Sequence, residues 1–70
     1  MNEEIKCMCR VLHNEYPLVY TIENLTYVGI LHTPIPLEFS FELTKDNRVL
    51  IFEPSKTASF MIKAIVDAIL

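Results

Sequence analysis

Seventy residues, 51% of them hydrophobic and 21% charged, hold one domain with a small core, because a chain this short buries only about 60% of its open surface. The length excludes a two-domain enzyme and any long βαβ array, and the composition excludes intrinsic disorder. Six Lys and Arg against nine Asp and Glu leave a formal charge of −3, with the cations scattered singly, which argues against direct nucleic-acid binding.

The N-terminus, Met1 to Lys6, is acidic where a secretory leader would be basic. No apolar run has the length of a membrane span, and Lys63 and Asp67 interrupt the apolar C-terminus. A cytoplasmic protein without membrane contact is expected. Cys7 and Cys9 would share one face of a strand, too far apart for a comfortable bridge, so both are expected as reduced thiols.

Residues 4–12 alternate, with Ile5, Cys7, Cys9 and Val11 against Lys6, Met8, Arg10 and Leu12, and read as a strand. His13–Pro17 reads as a turn, since Asn14 and Pro17 break regular structure. Leu18–Glu23 is a second strand, rich in β-branched and aromatic residues. Asn24–Thr26 connects it to a third over Tyr27–His32, where Gly29 predicts a bulge or a close backbone approach. Thr33-Pro34-Ile35-Pro36 cannot enter a central ladder, because two prolines remove two N–H donors. An extended segment at the edge of the sheet is expected there.

Leu37–Leu43 is the clearest strand, with Leu37, Phe39, Phe41 and Leu43 inward and Glu38, Ser40 and Glu42 outward. Thr44–Asn47 reads as a hairpin loop. Arg48–Glu53 returns as a strand, with Val49 and Ile51 on one face and Leu50 and Phe52 on the other. Pro54 and Ser55 then stop the sheet, and a helix over Thr57–Leu70, capped by Ser55 or Thr57, closes the chain. The class is therefore α+β: an antiparallel meander of four to five strands, followed by one helix packed on one sheet face.

Stepping 100° per residue gathers Lys56, Ser59, Lys63 and Asp67 into one stripe, with Met61, Ile65, Ala58 and Ala68 opposite. The apolar arc spans roughly 240°, more than one sheet face can cover. Phe60 and Val66 border the polar stripe, and Ala64 beside Phe60 is small enough to admit a neighbour. These three residues are the candidates for contact with a second copy. The sheet carries a similar surplus: Met8, Leu12, Val19, Val28, Ile30, Leu50 and Phe52 compete for cover with Ile5, Cys9, Tyr20, Leu31 and Phe39. One helix covers one face, and the other would leave an apolar patch of the kind that marks an interface.

No grouping for catalysis emerges. Cys7-x-Cys9 with His13 and His32 lacks the knuckle spacing and second pair of a zinc site, and nothing sets a histidine beside either thiol as a base. One glycine cannot build a phosphate loop. Tyr16, Tyr20 and Tyr27 gather near the first hairpin, as core-edge residues of the sheet or as binding anchors. Glu38 and Glu42 share an outward face and could meet a basic partner. The expectation is a non-enzymatic interaction protein, a homo-oligomer with the dimer favoured, that binds and modulates or inhibits another protein. Its size suggests an accessory protein of phage or plasmid type. No cofactor or metal is expected. The alternative is a small oligomer that binds a nucleotide or metabolite between subunits.

Overall fold

Alternating apolar and polar side chains let a strand bury one face and wet the other, and the first four of five strands do so here. The computed structural model describes residues 3–46, 48–53 and 58–70, the side chains of residues 50–53 excepted. The strands are β1 (Ile5–Val11), β2 (Asn14–Glu23), β3 (Thr26–Leu31), β4 (Leu37–Leu43) and β5 (Val49–Glu53), and one helix follows, α1 (Ser59–Ile69). They form a single antiparallel sheet in chain order, β1-β2-β3-β4-β5. The fold is the α+β meander with a C-terminal helix on one face.

Register fixes which side chains share a face. Cys9 pairs with Tyr16 and Cys7 with Leu18, Leu18 with Leu31, and Leu31 with Leu37. The helix-covered face therefore carries Cys9, Val11, Leu18, Tyr20, Leu31, Phe39, Phe41 and Leu43, all buried. Ile65 from α1 joins them and is fully buried, while Met61, Ala64, Val66, Ala68 and Ile69 pack around it. The helix lies chiefly over β1, where the Cys7 thiol approaches the Ala68 carbonyl at 4.0 Å. The sequence expectation that Met61, Ile65 and Ala68 face the sheet agrees with this placement.

Several boundaries differ from the sequence reading, each for a local reason. The first turn is confined to Leu12 and His13, and β2 already begins at Asn14. Leu12 takes a left-handed φ of 57°, which tightens the hairpin enough to bring Pro17 into the strand opposite Met8. Pro17 then limits its other neighbour. Its carbonyl accepts a hydrogen bond from the His32 N–H at 2.8 Å, but it has no N–H to return, so the ladder to β3 ends at Leu31.

Asn24, with φ 58°, turns the chain into β3 one residue earlier than expected. Thr33–Ile35 bend rather than extend. The Thr33 hydroxyl donates to the Ile35 carbonyl at 2.6 Å, and the bend returns the chain antiparallel into β4. Beyond β4, the Thr44 N–H bonds the Arg48 carbonyl and the Thr44 hydroxyl accepts from the Arg48 N–H.

The register then shifts between Glu42 and Leu43, with Leu43 opposite Val49 and Glu42 opposite Ile51. The pairing of β5 with β4 is therefore offset by one residue. The faces taken by Leu50, Ile51 and Phe52 lie outside the described residues. So do Ser55 and Thr57, the expected caps. The helix starts at Ser59 with Ala58 as its N-cap residue, and no side chain bonds there.

Gly29 marks a close approach and not a bulge, since the register runs evenly on both sides of it. A Cβ at this position would meet the Val19 carbonyl oxygen, Tyr20 Cβ at 2.6 Å and Phe39 Cζ at 2.8 Å. Only glycine leaves room for the Phe39 ring.

Candidate functional site: the open face of the sheet

Among the described residues the helix leaves most of the second face of the sheet open, and reaches it only at the β1 edge, where Met8, Arg10 and Leu12 line a groove with Ala64, Asp67 and Ala68. Residues one step out of phase with the core point to this second face: Lys6, Met8 and Arg10 from β1, Val19 and Thr21 from β2, Val28 and Ile30 from β3, and Glu38, Ser40 and Glu42 from β4. Val28 is 48% exposed and Met8 is 53% exposed, while Val19 and Ile30 are half-buried. Alternation settles the competition that the sequence leaves open. Cys9, Tyr20, Leu31 and Phe39 take the core, and Met8 and Val28 stay open to solvent.

A concavity of about 690 Å³ lies on this face. Val19, Val28 and Ile30 form its apolar floor, and Lys6, His32 and Glu38 stand around it. The Thr21 hydroxyl, at its edge, donates to the Val28 carbonyl at 3.4 Å. An apolar floor with a few polar groups at the edge can take another surface or an elongated ligand.

The three tyrosines belong to the other face. Tyr20 is buried, Tyr16 and Tyr27 are half-buried, and all three pack with the core. Tyr20 and Tyr27 lie 6.1 Å apart between ring centres, Tyr27 stacks on Phe41 at 5.0 Å, and Phe41 on Phe39 at 6.0 Å. This aromatic row is structural packing across β2, β3 and β4. Glu38 and Glu42 are exposed on the open face, so the structure separates them from the tyrosines by the thickness of the sheet. On the helix, Ala64 and Val66 already pack partly against the chain's own core, and Phe60 stays 49% exposed.

The titratable groups are spread widely. Cys9 is fully buried and Cys7 half-buried, both as free thiols. Burial pushes the Cys9 thiol above its ordinary 9.0, with the nearby Cys7 and Asp67 charges adding to the effect. Such a thiol stays protonated and is a poor nucleophile. His13 is exposed at the first turn, and His32 lies on the open face, opposite the side that buries Cys9. Among the described residues, no three His, Cys, Asp or Glu side chains gather as a metal site. Nor is any helix among them long and apolar enough to cross a membrane.

Sequence reasoning missed how the open-face residues line up across the sheet. Each was legible as outward-facing, but their alignment depends on the register among four strands. That register rests on two hairpin turns and the five-residue loop 32–36. Comparison with known proteins yields no family model, curated protein or solved structure that matches the chain.

Proposed function

We propose that the chain is a small, non-enzymatic cytoplasmic interaction protein that associates with itself and binds another protein, modulating or inhibiting it. The observation that supports this reading is the open sheet face, where exposed Val28 and half-buried Val19 and Ile30 line a 690 Å³ concavity. Clustered apolar surface of this kind on a small domain marks a contact surface. Leu12, 71% exposed at the first turn, is a separate apolar residue in the groove beside Ala64 and Ala68.

The test is affinity capture with the intact chain as bait, with bound protein identified and its stoichiometry measured. Wild type should hold one partner in fixed ratio, Val28→Asp should lose it, and Lys63→Ala on the helix surface should keep it. Equal capture by wild type and Val28→Asp would remove the open face from the function.

A second reading uses the same concavity for a small metabolite, favoured by the polar edge that Lys6, His32 and Glu38 give an apolar floor. It expects one compound of a metabolite panel to raise the melting midpoint of the wild type and not that of Val28→Asp.

A further inference from the structure

The register sets four open-face residues in one line across the sheet. Lys6 lies opposite Val19, Val19 opposite Ile30, and Ile30 opposite Glu38. The line runs cation, apolar, apolar, anion. Its two charged ends are three strand spacings apart, roughly 14 Å. A lysine and a glutamate cannot bridge that distance within one chain. The neighbouring line, Thr21, Val28 and Ser40, sets Val28 between two neutral hydroxyl side chains, and Glu4 borders the concavity on the β1 side.

Read backwards, the charged line is its own complement. We propose that the open face is covered by a second copy of this chain, related by a twofold axis that runs along the strands between β2 and β3. Such a rotation keeps each position along the strands and reverses the order across the sheet. It lays β1 over β4 of the partner and β2 over β3. Lys6 then meets Glu38 of the partner subunit, and Val19 meets Ile30 of the partner subunit. By symmetry each contact occurs twice, as an isologous interface requires. Two sheets packed face to face lie about 10 Å apart with aligned strands, a separation that side chains of this size fill.

This inference rests on the open face being an interaction surface and names a second copy as its occupant, which a protein partner bound through Val28 would have to displace. The helix flank of Phe60, Ala64 and Val66 offers less, since two of those three residues already pack on the core.

The test is charge reversal read by light scattering and sedimentation equilibrium on the full chain. Wild type should have a mass near twice 8.1 kDa. Lys6→Glu and Glu38→Lys, both at exposed positions, should each keep strand circular dichroism yet weaken association by about a hundredfold, because each sets like charges against one another twice. An equimolar mixture of the two variants should recover dimers, since both contacts again join opposite charges, and the double variant should dimerise alone. A wild type that stays monomeric at about 100 μM would overturn the proposal, as would a dimer indifferent to both reversals or a mixture that stays monomeric. Monomeric wild type that still captures a protein partner through Val28 would overturn the self-pairing alone. Loss of neither mass nor capture in Val28→Asp would overturn the whole reading of the face.

Discussion

The ring of Phe39 lies over Gly29, so close that a single added Cβ would come within 2.8 Å of its Cζ. The contact joins β3 to β4 at paired positions, and it leaves the aromatic row of Tyr27, Phe41 and Phe39 unobstructed. A methyl group here meets backbone as well as the ring, because the Val19 carbonyl oxygen and Tyr20 Cβ close the other sides. Gly29→Ala should therefore destabilise the fold by about 2–3 kcal/mol, as overpacking a tight core does, although alanine is otherwise a small change. Urea unfolding of the two proteins measures the difference, and an unchanged midpoint would show that β3 and β4 can separate at that point.

The same row predicts the largest truncation effects. Phe39 and Phe41 are 3% and 1% exposed, and each removal to alanine should cost about 3–5 kcal/mol. Total stability at this size is about 5 kcal/mol, so either variant should be largely unfolded by circular dichroism at room temperature. Glu42→Gln, one residue from Phe41 but on the wet face, should leave the melting midpoint within a degree or two. The opposite ranking would mean that the strand is turned over by one residue.

Alkaline stability should report on Cys9. Its thiol is pushed above 9.0, chiefly by burial, and the Tyr20 hydroxyl is pushed above 10.0, again chiefly by burial. In each case the folded state holds its proton to higher pH than the unfolded chain does. The stabilisation is then fully present below pH 9.0 and is lost as pH rises through the folded values. The urea midpoint of wild type should fall between about pH 8 and about pH 10.5. Cys9→Ala should start lower but lose less across that range. A parallel fall in both proteins would assign the alkaline loss to other groups.

The sequence and the structure agree where period two is long and uninterrupted. Leu37–Leu43 was legible in full because seven residues alternate without a break, and its inward set matches the buried set apart from half-buried Leu37. Pro17 misled the reading of the first turn. A proline can occupy a strand wherever its missing N–H faces away from a pairing partner, and only the three-dimensional end of β3 shows that it does. The tyrosines left two readings open, core edge and binding anchor. Their amphipathic character fits both a core edge and a binding platform, and the choice between them depends on which face the helix covers. Lys6 and Glu38 were each visible as outward, but their common line crosses four strands, and no local spacing carries it.

The last prediction concerns how α1 is held. Ile65 is fully buried, and it is the helix residue that enters the core cluster of the sheet. The helix has no side-chain N-cap, and no acidic residue in its first turn favours the dipole. Its Lys63–Asp67 pair at 3.2 Å is exposed on both sides, a geometry that contributes a few tenths of a kcal/mol. At 11 residues such a helix is marginal in isolation, so burial of Ile65 and its neighbours must hold it. Ile65→Asp should therefore release the helix and unfold the chain, because an unpaired carboxylate cannot remain in the core. Asp67→Ala should cost less than about 0.5 kcal/mol. Phe60→Asp, at a position 49% exposed, should leave both helical and strand circular dichroism intact and the dimer mass unchanged. A folded Ile65→Asp variant with native helix content would show that α1 is anchored by its other contacts. A monomeric Phe60→Asp variant would move the contact between copies from the open sheet face to the helix flank.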